Sequence, residues 1–251
     1  MIDKKFASNP VIAHRGAFKK NGFPENSIAA LKEAIRLECT GSEFDVRMTA
    51  DDVLVVHHDP DYQQIEIEKA DYAQLVKLPL RNGETLPTLR EYLLAGMIDN
   101  KGTRMVVEIK PSEISKERGQ IIAEKVVRMI DAIGASPMVV YISFDFEMLK
   151  KIREINPHAL TQYLEGDKSP EQLKAEGISG ADYHISIFRK KPEWVNAAKK
   201  HKLILNAWTV DNTDDMQWLL SEGFDYITTN EPELLFEILK SRRTEIKPLS
   251  Q

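Results

Sequence analysis

The 251-residue sequence has a single cysteine, Cys39, which excludes an intrachain disulfide and any metal site built from several thiolates. It lacks a long apolar run: no stretch approaches the ~18 consecutive apolar residues of a membrane-spanning helix. No stable membrane insertion is therefore expected. The opening segment MIDKKFASNP has no apolar core of the signal-peptide kind. The sequence as it stands reads as cytoplasmic, or as periplasmic or secreted if a leader has been removed. An excess of basic residues is also missing. With a net charge of −5, a protein that grips nucleic acid or an anionic membrane over a wide area is disfavoured. A small anionic substrate stays compatible with that charge, because a bound cation can reverse the local sign.

What is present is the composition of a globular protein with a sizeable core: 42% hydrophobic and 29% charged, with 12 Gly and 12 Pro. Short β-branched or apolar runs alternate with helical patterns, the signature of parallel βα units. The strand candidates are 11–15, 42–46, 104–110, 138–144, 159–165, 183–188, 203–210 and 226–230. Among the helices, NSIAALKEAIRL has Asn26 as its apparent cap, and KERGQIIAEKVVRMIDAIG stops at Gly134. Later helices start near Phe146, Pro170, Pro192, Thr213 and Glu231. Eight such units close into an α/β fold of the (β/α)₈ TIM type, and chains of about this length form it as one domain, here 1–251. The rhythm breaks between SEFDV and RMVVEIK, where VLVVHHDP and a polar stretch intervene. This reads as a second βα step carrying a small insertion, about 60–85, over the active-site end.

Charged residues inside buried parallel strands need a reason. His14 and Arg15 end the first run, Glu43 and Asp45 lie in the second, Glu108 and Lys110 end RMVVEIK, and VLVVHHD adds His57, His58 and Asp59. In a parallel barrel all C-terminal strand ends share one rim, where active sites lie. Glu43 and Asp45 stand two apart, so on a strand they leave the same face. Alone they would read as a solvated carboxylate pair. With Glu108 on the next core strand they form a three-carboxylate, all-oxygen set that suits one hard divalent cation, Mg²⁺ or Ca²⁺. A lone His14 would read as a hydrogen-bonded core histidine. Beside it, however, stand Arg15, whose planar fork fits a phosphate, and Lys110, a compact positive charge. A cation, these two residues and two histidines suit phosphoryl transfer. His57 and His58 point to opposite faces if their strand continues, and periodicity does not choose between them.

These motifs resemble the glycerophosphodiester phosphodiesterase family along nearly the whole chain. The matching segments are HRG (14–16), PENS (24–27), EFDVRMTADDVLVVHHD (43–59), LPTLREYL (86–93), EIK (108–110), NAWTVD (206–211) and GFDYITTNEPE (223–233). The resemblance implies a TIM-type barrel with a small insertion after the second strand. It also implies catalytic histidines at His14 and His58, metal carboxylates at Glu43, Asp45 and Glu108, and phosphate contacts from Arg15 and Lys110. Glu25 then matches a further active-site acid that supports Arg15 or the nearby polar network; the alternative is a carboxylate facing the dipole of the following helix. Trp208 matches a rim tryptophan that walls the glycerol carbons, the alternative being a buried core aromatic. Two departures stand out: Glu38 and Cys39 replace a glycine before the acidic strand, and Asp51–Asp52 replaces an Asp–Gly turn. The implied activity is hydrolysis of small-molecule glycerophosphodiesters, such as glycerophosphocholine or glycerophosphoethanolamine, to glycerol 3-phosphate and an alcohol. A lysophospholipase D-like enzyme of the same barrel type and a non-catalytic phosphodiester-binding barrel are the alternatives. The sequence leaves the oligomeric state open.

Overall fold

The computed structural model describes residues 6–245, with side chains as far as residue 242. Eight parallel strands form a barrel: β1 (Val11–Ala13), β2 (Gly41–Met48), β3 (Arg104–Ile109), β4 (Val139–Ser143), β5 (Leu160–Tyr163), β6 (Gly180–His184), β7 (Ile204–Trp208) and β8 (Tyr226–Thr229). They pair in chain order, and β1 pairs with both β2 and β8, which closes the ring. Outside it run α1 (Ile28–Arg36), α2 (Leu89–Met97), α3 (Lys116–Ile133), α4 (Phe146–Ile155), α5 (Pro170–Ala175), α6 (Glu193–Lys200), α7 (Thr213–Ser221) and α8 (Pro232–Glu245). No helix among the described residues is long and apolar enough to cross a membrane.

Strand alternation sorts the apolar residues into two layers. Val11, Ala13, Phe44, Val46, Val107 and Tyr141 point outward into the main core shared with the helices. The intervening Ile12, Val106, Val140 and Ile142, joined by Leu164, make a smaller cluster inside the ring. The polar residues of the same inward parity, Glu43, Asp45 and Glu108, are thereby lined up above an apolar plug.

Two strand expectations need correction. The run 183–188 is not one strand: β6 begins earlier, at Gly180, and ends at His184, whose ring accepts from Ser186 N–H and starts the short helix Ile185–Lys190. Gly180 lies within the strand, where a side chain would sit 2.8 Å from the Ile204 carbonyl oxygen. Nor is VLVV a further parallel strand. Leu54–Val56 pairs antiparallel with β2, Val46 facing Val56 and Met48 facing Leu54. The hairpin returns the chain to the rim, where His57 N–H donates to the Asp45 carbonyl at 3.0 Å.

Both departures from glycine take up left-handed backbone, with φ of 57° at Glu38 and 65° at Asp52. Asp tolerates that region better than most residues. The polar stretch after the hairpin is itself ordered. It pairs Asp61–Tyr62 with Ile65–Glu66, adds a short helix (Tyr72–Leu75) and packs Val55, Tyr62, Ile67, Leu75 and Leu86 into a separate small core. Two carboxylates anchor it. Glu68 accepts from Ser112 Oγ, Glu113 N–H and Arg118 Nε at 2.6, 3.0 and 2.9 Å, and Glu84 accepts from the free N–H groups of Ile28 and Ala29 at the start of α1.

Candidate active site

The HRG turn is built by backbone geometry. Arg15 has a φ of 53°, which directs its N–H onto Glu43 Oε2 at 2.8 Å. Gly16 follows with a φ of 80°, and a Cβ on it would lie 2.7 Å from the Ala30 backbone, so only glycine lets α1 close on the turn. The guanidinium then reaches two carboxylates: Nη1 lies 3.0 Å from both oxygens of Glu25, and Nε is 3.6 Å from Asp45 Oδ2.

Glu43, Asp45 and Glu108 each bring a carboxylate oxygen to within 4.8 Å of the others. All three are buried, and Glu43 Oε1 has no hydrogen-bond partner. Lys110 Nζ bridges two of them, 2.8 Å from Asp45 and 2.6 Å from Glu108. Burial, followed by the charges of Asp45 and Glu108, holds Glu43 well above the usual carboxylate range. Burial and then Asp45 push Glu108 up to about 7, against the opposing pull of Lys110. Asp45 goes the other way. Burial alone would raise it, but Lys110, His58 and Arg15 hold it below the ordinary range. Stacked buried carboxylates, one with an unpartnered oxygen, are a donor set that fits a hard divalent cation.

His14 lies beside this cluster, its Nε2 3.9 Å from Glu43 Oε2 and its Nδ1 2.8 Å from Asn230 Oδ1. Burial and the adjacent Arg15 lower its pKa, so the ring is neutral near pH 7. His58 reaches the same cavity from the hairpin, with Nδ1 2.7 Å from Asp59 Oδ1. The strand has ended by then, so the two histidines part at a turn rather than across a sheet. His57 faces away, with Nε2 3.1 Å from the Asp61 carbonyl and its ring edge-on to Tyr62. The opposite wall is mostly apolar, and includes Ile142, Phe144, Leu164 and Trp208. Trp208 is half-buried, donates its indole N–H to the Asp182 carbonyl at 2.8 Å and packs edge-on to Phe144.

The nine residues to which the resemblance gives site roles lie together. Glu25 does so as the partner of Arg15, while Glu84 occupies the N-terminal end of α1. Sequence reading missed Asn26, Asp211 and Asn230. Asn26 is not the helix cap: Ser27 is, accepting from Ala30 N–H. Asn26 adopts a φ of 59° and turns inward, donating to Asp45 Oδ2 at 2.8 Å and accepting from Asp45 N–H at 3.1 Å. Asp211 accepts from both the backbone N–H and the Nδ2 of Asn230, at 2.8 and 2.7 Å. Asn230 and Asp211 fall inside the motifs TTNEPE and NAWTVD, but a short polar residue at a strand end reads as a turn signal unless its partner across the rim is known.

Comparison with known proteins identifies the family. The glycerophosphoryl diester phosphodiesterase family matches residues 14–234. A glycerophosphodiester phosphodiesterase of Caldanaerobacter subterraneus subsp. tengcongensis is 34% identical over 248 residues, covering 92% of this chain and 97% of that protein. The crystal structure of a glycerophosphodiester phosphodiesterase from Parabacteroides distasonis superposes with a TM-score of 0.90 at 39% identity, covering 95% of this chain and 100% of the other. An Oleispira antarctica phosphodiesterase, solved in complex with its product sn-glycerol-3-phosphate, shares the fold at a TM-score of 0.80 and 22% identity over 92% of this chain and 97% of that one. The chain belongs to the glycerophosphoryl diester phosphodiesterase family, and its enzymatic activity is that of a glycerophosphodiester phosphodiesterase.

Proposed function

We propose that the enzyme cleaves small deacylated glycerophosphodiesters, such as glycerophosphoethanolamine and glycerophosphocholine, to sn-glycerol 3-phosphate and the free alcohol. The observation that carries this reading is the convergence of three buried carboxylates, an Arg–Lys pair and two histidines in one cavity. The product bound by the Oleispira protein supports the same assignment of the glycerol phosphate half.

In this reading Glu43, Asp45 and Glu108 hold one divalent cation, Mg²⁺ or Ca²⁺, which supplies Lewis acidity and positive charge at the phosphate when bound. Arg15 offers its remaining guanidinium N–H groups to a phosphate oxygen, and Glu25 keeps that fork in place. Lys110, seated on the same carboxylates, offsets charge on a second oxygen as the pentacoordinate state develops.

The two histidines divide the proton work. His14 is neutral, with its Nδ1 proton engaged by Asn230, so Nε2 presents a lone pair and removes a proton from the nucleophile, either water or the glycerol 2-hydroxyl; the latter gives a cyclic phosphate that a water then opens to glycerol 3-phosphate. His58 has an ion-pair partner for its imidazolium form in Asp59 and delivers a proton to the departing alkoxide. Trp208 walls the carbon skeleton. One catalytic barrel spanning the chain completes the reading, and the insertion over the rim is where the alcohol is selected.

The test offers purified, metal-replete protein glycerophosphoethanolamine, glycerophosphocholine and lysophosphatidylcholine side by side. The deacylated substrates are expected to be cleaved at least about tenfold more efficiently than the lysolipid. A preference for the lysolipid would replace this reading with a lysophospholipase D-like one.

A further inference from the structure

Apart from the carboxylate cluster, one further acid lines the cavity. Asp182, on β6, lines the cavity among Ile142, Phe144, Leu164 and Trp208. It is 1% exposed, and its Oδ1 is buried with no hydrogen-bond partner. The Asn206 amide, opposite it on β7, hydrogen-bonds the carboxyl but leaves Oδ1 unpartnered, and the more distant charge of Glu108 also acts on it. The same amide also donates to Thr228 Oγ1 at 2.9 Å.

A buried polar atom left unpaired destabilises a fold, and its retention next to a substrate cavity calls for a ligand group that pairs with it. Burial pushes the Asp182 pKa up to about 8. The carboxyl is then neutral at pH 7, so it both donates and accepts, which matches an alcohol better than a charged or purely donating group. The main chain at this point is tied to Trp208, whose indole N–H donates to the Asp182 carbonyl at 2.8 Å. That one bond fixes the flat ring for carbon contact next to the carboxyl for hydroxyl contact.

We propose that Asp182 is a specificity-determining residue that hydrogen-bonds a hydroxyl of the glycerol moiety, across the cavity from the carboxylate cluster. Recognition of the polyol is thus separated from recognition of the phosphate: Arg15 and Lys110 read the anion, whereas Asp182 and Trp208 read the hydroxylated three-carbon chain. The proposal rests on the phosphodiesterase reading above.

Calorimetric titration in Mg²⁺ compares sn-glycerol 3-phosphate with n-propyl phosphate, which has the same charge and carbon chain but no hydroxyls. The unaltered protein is expected to favour glycerol 3-phosphate by about tenfold or more. Asp182→Ala is expected to bring the two within about twofold by weakening glycerol 3-phosphate alone. Equal binding of both ligands by the unaltered protein, which needs no variant to fold, would overturn the proposal. Parallel weakening of both ligands in Asp182→Ala, or retention of the full preference, would overturn it as well. If the unaltered protein bound neither ligand and released no glycerol 3-phosphate from glycerophosphoethanolamine, the phosphodiesterase reading itself would fall, and this assignment with it.

Discussion

Asn230 Oδ1 lies 2.8 Å from His14 Nδ1, and the amide is fixed that way round because its Nδ2 donates to Asp211 Oδ2 at 2.7 Å. The oxygen therefore faces the imidazole, which must carry its proton on Nδ1. Asp211 thus sets the tautomer of His14 through one intervening amide, the arrangement that leaves Nε2 free to act as a base.

Asn230→Ala is expected to lower kcat by about 100-fold with little change in KM, because the wrong tautomer becomes accessible while substrate contacts stay. Asn230→Asp places a carboxylate against the ring and favours its charged form. A base must be neutral to act, so the acidic limb of the kcat/KM profile moves to higher pH. An unchanged kcat in the first variant with an unmoved limb in the second would show that Asn230 does not position His14.

His58 and His57 are adjacent in sequence but separated in the structure, His58 lining the cavity and His57 facing away. His58→Ala is expected to cost about 100-fold or more in kcat, in the range of a lost proton-transfer group. His57→Ala, which loses only a contact to the Asp61 carbonyl and the Tyr62 ring, is expected to keep most of the activity. Steady-state rates of the two variants decide the matter, and the reverse order would contradict the site.

Metal affinity is expected to strengthen as pH rises. In the absence of a cation Glu43 is held well above its ordinary pKa and Glu108 is pushed up to about 7, so a cation binding at pH 6 must expel protons. The same groups stabilise the metal-free fold fully below the ordinary carboxylate range, and that contribution is lost as pH rises through about 7. Mg²⁺ or Ca²⁺ should therefore raise Tm more at pH 8 than at pH 6. Thermal melts in chelator and in excess metal test this, and an equal or larger metal effect at pH 6 would contradict it.

The barrel was legible because its strands carry period-two alternation around charged residues that have no reason to be in a core unless they line a site. Glu43, Asp45 and Glu108 declare themselves in that way. Gly180 hid the start of β6, since close approach to the Ile204 backbone and a loop turn both select glycine. VLVV has the composition of a barrel strand, and its antiparallel pairing with β2 depends on the turn around Asp52 rather than on its own residues. Asn26, Asp211 and Asn230 were illegible for a different reason. Each acts through a partner 19 or more residues away, Asp45 for the first and the other rim residue for the pair, and nothing local distinguishes them from caps or turns.

The central claim, metal-supported cleavage on the alcohol side of the phosphodiester, is tested most directly by phosphorus NMR of the products from glycerophosphoethanolamine. With saturating Mg²⁺ or Ca²⁺ the account predicts accumulation of sn-glycerol 3-phosphate, arrest on exhaustive chelation and recovery when the cation is restored. Undiminished turnover in chelator, or appearance of phosphoethanolamine in place of glycerol 3-phosphate, would contradict it.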